Sequence, residues 1–373
     1  MLAKSKKVTF LLAIFLVIIL GVLFLSKTNK DYLKGEIILW SEDKYYSYFL
    51  NIAKEFKDTH KKVDIKIVNV DEEEYLNKLL TTEKKELPNI VQLNLKEINE
   101  VRDKFYFFEE NKNIIEIYKK NFSDARLQEV EFEDNYYGIP FESKPLALYV
   151  RGDILEKYGY EAEDINTWNQ LINIGTDIKT KTSGKINIFF SKDRDNIYSL
   201  MLAELINSEG NIKNNEDVLK EISNIYKVEY LTEDNNYLFR IDSLDFYNDL
   251  INEDIDGKWI CKNPPSFKSG ENKFYDLGGD SIVALNINNK NTELIKEFIA
   301  YSATNKELLS KELLEGNFFP SSLYALRGRY GEKDNKNIEG TSPFLILMNI
   351  VERAPRIENY DEFKEKLIEI NNN

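Results

Sequence analysis

The stretch GEIILWSEDKYYSYFLNIAKEFKDTHKKVDIKIVNV, residues 35–70, changes its hydrophobic period twice. Residues 36–40 (EIILW) form a short apolar run of strand length. Phe49, Ile52, Ala53 and Phe56 then recur at i, i+3, i+4 and i+7, which is one apolar stripe of a helix. Residues 63–70 (VDIKIVNV) alternate like a half-buried strand. Next, Asp71 with Glu74 three positions on resembles a capping box and opens another helix. Residues 87–93 (LPNIVQL) read as a third strand. Strand, helix, strand, helix, strand at this spacing predicts a mainly parallel α/β sheet.

Downstream, residues 136–150 (YYGIPFESKPLALYV) are apolar but interrupted by Pro140 and Pro145. Proline removes a ladder donor, so this is an extended crossing segment rather than one long central strand. Thr167 and Gln170 make a capping box for a helix with Trp168, Leu171 and Ile172 inward. Gly278 and Gly279 precede SIVALNI, a strand, and Leu294, Ile295, Phe298 and Ile299 form a helical stripe. There is no internal repeat and no low-complexity linker. A second lobe therefore arises by the chain crossing back and forth.

Upstream, Lys4, Lys6 and Lys7 precede VTFLLAIFLVIILGVLFL, residues 8–25, which carries no charge. As a helix this run spans about 27 Å, close to the ~30 Å hydrocarbon thickness of a bilayer. The lysines should stay cytoplasmic and send the rest outward. Two readings compete. An uncleaved anchor fits the length and the Leu23-Phe24-Leu25-Ser26-Lys27 ending, whereas a cleaved signal needs a shorter run and small residues at the cut. No cysteine follows the run to carry a lipid.

The net charge of −14 argues against nucleic acid, because the lysines and arginines are interleaved with acids rather than clustered. Cys261 is the single cysteine, so no internal disulfide forms; it reads as a buried, inert thiol. His60 is the single histidine, which excludes a multi-histidine metal site and argues against a Ser-His-Asp triad, and its position suits a helix C-terminus. Asn252, Asp254, Asp256 and Gly257 mimic the start of a calcium loop, but Asn263 stands where a bidentate Glu is needed, so a plain turn is expected. The pairs Tyr45–Tyr46 and Tyr136–Tyr137 lack the supporting ligands of an iron site. No P-loop, G-x-S-x-G or H-E-x-x-H is present. Neither metal nor cofactor is expected.

Taken in order, five stretches resemble the family 1 extracellular solute-binding proteins of bacterial ABC importers, the group that includes maltose-type sugar-binding proteins. They are GEIILWSEDKYYSYFLNIAKEFKDTH, LPNIVQLN, YYGIPFESKPLALYVRGDILEKYGY with the later NTWNQLINI, DLGGDSIVALNINNKNTELIKEFIAYSATNKE, and NFFPSSLYAL. The resemblance spans residues 35–370. It implies an α/β, two-lobe, periplasmic-binding-protein-like fold of type II, here behind an N-terminal transmembrane helix. The expected divisions are 1–30 (signal anchor), 31–142 and 279–326 (one lobe), and 143–278 and 327–373 (the other). It also implies a non-enzymatic function: capture of a small, sugar-like solute outside the cell for the membrane subunits of an ABC permease. The expected place is the cell membrane, single-pass with an extracellular domain, or the exterior after signal cleavage. A membrane-anchored sensor or scaffold and, more remotely, an extracellular glycosidase are the alternatives.

Sugar sites combine aromatic faces, which cover C–H surfaces, with planar polar groups that bond hydroxyls. Trp40, Ser41 and Glu42 lie at the predicted C-terminal end of the first strand, and Gln92 and Asn94 at the end of the third; ligands of open parallel sheets sit there. The competing reading puts Trp40 in the core and Glu42 at a helix start. The resemblance adds Glu142, Ser143 and Lys144 in the first crossing and Gly279 and Asp280 in the second. It also adds Ser321, Ser322 and Tyr324 after Pro320, and Asp245 and Phe246 where relatives carry a ligand-facing tryptophan. Phe246 reads equally well as core. Trp259 reads as structural.

Overall fold

The computed structural model describes residues 33–105, 108–132, 135–209, 220, 222–223, 225–252, 255–286, 290–327, 336–357, 363 and 365. The 8–25 run, and with it the expected transmembrane helix, lies outside the described residues. Among the described residues no helix is long and apolar enough to cross a membrane. The chain forms two compact units. One takes the residues up to Val91 with Phe105–Phe108 and Ala284–Ser302; the other takes Gln92–Lys104, Glu109–Val283 and the residues from Ala303 on.

In the first unit, strand β1 (Gly35–Ser41) pairs in parallel with β2 (Val63–Asn69) along its whole length, from Gly35 against Val63 to Ser41 against Asn69. The Asp43–Thr59 helix between them buries Tyr45, Tyr48, Phe49, Ile52, Ala53 and Phe56, which is the expected stripe widened by two tyrosines. That stripe meets the Thr292–Thr304 helix. The Phe56 and Phe298 rings pack edge to face at 5.4 Å, and the Tyr48 hydroxyl donates to the Ser302 carbonyl. Strand β3 (Ile90–Leu93) joins β1 in parallel with Leu39 opposite Ile90. It starts three residues later than expected. Pro88 has no N–H, and the Asn89 side chain accepts from Ile38 N at 2.8 Å while Asn89 N donates to Ile38 O at 2.8 Å, so Asn89 replaces a regular ladder step.

The second unit is built on a six-stranded mixed sheet. Its strands are β7 (Ala147–Arg151), β8 (Asn187–Phe190), β9 (Leu231–Thr232), β10 (Tyr237–Asp242), β11 (Trp259–Lys262) and β13 (Ile338–Glu339), in the order β13-β11-β7-β10-β8-β9. β7 is central and antiparallel to both neighbours. Its side chains alternate between two cores. Leu148 and Val150 join Trp168, Leu171 and Ile178 of the Trp168–Lys181 helix on one face. Ala147 and Tyr149 join Phe246, Trp259, Phe344 and Leu347 on the other. The remaining short strands are β4 (Glu131–Phe132), β5 (Asn135–Tyr136), β6 (Ile139–Pro140) and β12 (Ser281–Ala284). β12 is shorter than the expected SIVALNI strand; β6 pairs antiparallel to it. Residues 142–143, 278–279 and 326–327, where the sequence divides the lobes, all belong to this second unit.

Candidate functional site

Three segments of the second unit that are remote in sequence meet at one polar node. The first is the Pro-interrupted run after β6, the second leads into β12, and the third surrounds Pro320. Phe141 N and Glu142 N both donate to Asp280 O at 3.0 Å. Ser143 N donates to Phe319 O and Ser321 N to Phe141 O, each at 2.8 Å. Leu277 N donates to Lys144 O at 2.9 Å, and Leu146 N to Tyr275 O at 3.1 Å. The prolines that keep this run from being one strand leave short bridges, Glu142 to Pro320 and Pro145 to Asp276.

Side chains lock the node from inside. Asp276 is buried; its Oδ1 accepts from Lys144 N at 2.8 Å and from Gly278 N at 3.1 Å, and burial raises its carboxyl despite the pull of Arg126. Ser321 Oγ donates to Glu142 O at 2.7 Å and lies 3.2 Å from Ser143 Oγ. Gly279 sits at φ +153°, and a Cβ there would lie 2.7 Å from Glu142 O. Only glycine lets the two backbones approach this closely.

The structure thus brings together Glu142, Ser143, Lys144, Gly279, Asp280 and Ser321. Glu142 is buried, with Lys144 Nζ 3.9 Å from its carboxylate. Asp280 contributes its carbonyl, which accepts from Phe141 N, Glu142 N and Arg126 Nη2. Tyr324, on the short Leu323–Leu326 helix, is 53% exposed, with Lys306 Nζ 4.9 Å from its ring centre. Ser322 caps that helix, accepting from Ala325 N.

Trp40 is buried at the end of β1. Its carbonyl accepts from the Tyr75 hydroxyl at 2.9 Å, and Lys78 Nζ sits 4.8 Å over its ring. Ser41 is buried and donates to Glu42 O at 3.0 Å, and Glu42 is the N-cap position of the next helix. Gln92 is buried on β3. Asn94 closes a capping box with Glu97 at the start of the Leu95–Val101 helix. Phe246 is fully buried, its ring edge to face with Tyr149 at 5.0 Å and Trp259 at 4.9 Å. Its neighbour Asp245 is exposed in the first turn of the Leu244–Asn252 helix.

Two charged clusters escaped the sequence reading. Arg126, fully buried, reaches the node from the Asp124–Val130 helix with Glu129 as its ion-pair partner. Arg240 lies between the Phe190 and Phe246 rings, 4.7 and 4.3 Å from their centres, and is held by Asp193 at 2.7 Å and Asp242 at 2.5 Å. The only local signal was the i, i+3 spacing of Arg126 and Glu129 and the Arg-x-Asp of 240–242.

His60 is the helix C-cap residue, its ring 4.5 Å from Phe56, and Cys261 is buried with its thiol pushed up by desolvation. Asp254 of the calcium-loop mimic lies outside the described residues. Gly257 there turns at φ +106° against the Arg151 guanidinium. Among the described residues, no group of three or more His, Cys, Asp or Glu side chains could hold a metal ion.

The chain resembles solved structures along most of its length. The sugar-binding protein MalE of Xanthomonas citri superposes with a TM-score of 0.69 at 14% identity, covering 90% of this chain and 91% of that one. The cyclic alpha-maltosyl-1,6-maltose binding protein of Arthrobacter globiformis gives 0.70 at 15%, with 90% and 91% covered. These likenesses show the fold. An arabinooligosaccharide-binding protein of Bacillus subtilis is 22% identical over 281 residues, 67% of this chain and 64% of that protein. The chain spans less than two thirds of the length of the curated relatives it matches. Residues 40–308 match the bacterial extracellular solute-binding protein family, and the chain belongs to that family.

Proposed function

We propose that this protein captures a carbohydrate outside the cell and delivers it to an ABC permease, held to the membrane by its 8–25 run. The observation that carries this reading is the family match over residues 40–308, among relatives named for binding arabinooligosaccharides and maltose-type sugars. The node supports it chemically. Glu142 and Lys144 offer planar and cationic partners for hydroxyls. The segment bridged to Glu142 at Pro320 leads to Tyr324, whose exposed ring can cover the apolar face of a sugar. The 8–25 run matches a bilayer in length, and the three lysines before it favour an outward-facing domain.

The test is a thermal-shift and calorimetry screen of the full chain in detergent. The panel holds arabino- and malto-oligosaccharides, lactose, polyamines and divalent metals. A ligand that binds only the native state raises the melting temperature. A shift with at least one sugar is expected. A shift with polyamine or metal and none with any sugar would sink the carbohydrate reading. Mass spectrometry of the membrane-extracted protein should find the N-terminus intact; a shortened one would remove the anchor and leave export standing.

A further inference from the structure

The geometry points to Arg126 as a positioning residue that holds the three segments of the node in the register the proposed ligand contacts need. Its guanidinium is fully buried. Nη2 donates to Gly279 O at 2.9 Å and to Asp280 O at 3.1 Å, and Nε to Ser321 Oγ at 3.3 Å. Nη1 is turned toward the Glu129 carboxylate one helical turn away. One planar cation therefore ties the second segment to the third. Ser321 relays the tie to the first, since its Oγ donates to Glu142 O.

The arrangement is specific to this side chain. A guanidinium presents its donors as a rigid fork, whereas an ammonium is a point charge on a flexible stem. Two of the groups it holds are neighbouring backbone carbonyls, and Asp280 O also accepts from Phe141 N and Glu142 N, so the guanidinium joins a carbonyl that already links the first and second segments. Glu129 balances the charge, and Gly278 leaves room for it: a Cβ at Gly278 would lie 2.8 Å from both carboxylate oxygens. Arg126 is buried and touches no solvent, so it acts through Glu142, Asp280 and Ser321 and not on the solute. In that respect the inference rests on the proposed function.

The test is peptide-level hydrogen exchange on the full chain, comparing wild type with Arg126→Gln and Arg126→Lys. In Arg126→Gln, peptides covering Phe141, Glu142, Ser143 and Ser321 should exchange at least tenfold faster, with those of β7 and β10 unchanged within twofold. Arg126→Lys should fall between. Equal acceleration in the sheet, or none at the node, would overturn the positioning role. If Arg126→Gln does not accumulate as folded protein, Ser321→Ala replaces it. Acceleration confined to the Glu142 and Ser143 peptide supports the relay, and an unchanged peptide overturns it. The ligand consequence is read separately. If wild type binds a sugar, Arg126→Gln should bind it at least tenfold more weakly; unchanged affinity overturns positioning. If wild type binds no sugar, the proposed function fails and the exchange result still decides the register.

Discussion

Trp168 Nε1 donates to a carboxylate oxygen of Glu204 across 3.0 Å, inside a core where the tryptophan is fully and the glutamate almost fully buried. Among the described residues, the second oxygen of Glu204 has no hydrogen-bond partner. Burial raises this carboxyl well above 4.5, and the Trp168 bond and the Phe267 amide only partly oppose it. The folded state therefore holds a proton that the unfolded chain releases above pH 4.5. Stability is complete below that point and falls as pH rises, by about 1.4 kcal/mol per unit until the folded pKa is passed. Glu204→Gln keeps the shape and an acceptor for Trp168 without the proton. It should raise the melting temperature at pH 8 and change it little at pH 4.5, measured by calorimetry at both values. A larger gain at the lower pH would refute the assignment.

Arg240 gives the opposite case, a buried cation with two carboxylates. Burial raises Asp193, and raises Asp242 to about 6, against the pull of Arg240. Arg240→Met keeps the packing between Phe190 and Phe246 but leaves both acids without their cation. Breaking a buried pair from one side costs about 3–5 kcal/mol. Urea melts at pH 7 should show a loss of that size. The loss should shrink toward pH 5, because raised carboxyls accept protons there.

Gly279→Ala places a methyl group against Glu142 O in a backbone conformation that L residues rarely adopt. The expected cost is about 1–3 kcal/mol. It should be accompanied by loss of any sugar-induced thermal shift, since the first and second segments must separate. Retained sugar affinity with normal stability would show that the close approach is dispensable.

Asn94 and Tyr324 both read from the sequence as ligand contacts, and their surroundings differ: Asn94 caps a helix, whereas the Tyr324 ring is exposed. Asn94→Ala removes a capping box, so about 1 kcal/mol should be lost in a denaturant melt, with sugar affinity unchanged. Tyr324→Ala removes an exposed ring, so stability should stay within about 0.5 kcal/mol. Its sugar affinity should fall about tenfold by calorimetry, the scale of one lost aromatic contact. Reversed outcomes would exchange the two roles.

The local architecture was legible where periodicity and caps are local events. The stripe of Phe49, Ile52, Ala53 and Phe56 is buried, Thr167 and Gln170 do form a capping box, and Leu294, Ile295, Phe298 and Ile299 are all inside. Asp71 does cap its helix, but it accepts from Glu73 N rather than completing a box with Glu74. The broken backbone of the node was legible through Pro140, Pro145, Gly278 and Gly279, whose backbone restrictions show in the residue names. Arg126 and Arg240 were not. An arginine in a charge-rich chain looks like a surface residue, and its burial depends on partners that no window of neighbouring residues contains.

Arg126 and Ser321 are separated by 195 positions, and Arg126 and Asp280 by 154. A chain emerging N-terminus first exposes the guanidinium long before its carbonyl and hydroxyl partners exist. The node can close only after the segment around Pro320 has arrived, and such non-local pairing is intrinsically slow. Under the proposed function, in which the chain crosses a membrane before it folds, this order is an advantage. The node stays open until the segment around Pro320 has emerged, so most of the passage precedes its closing.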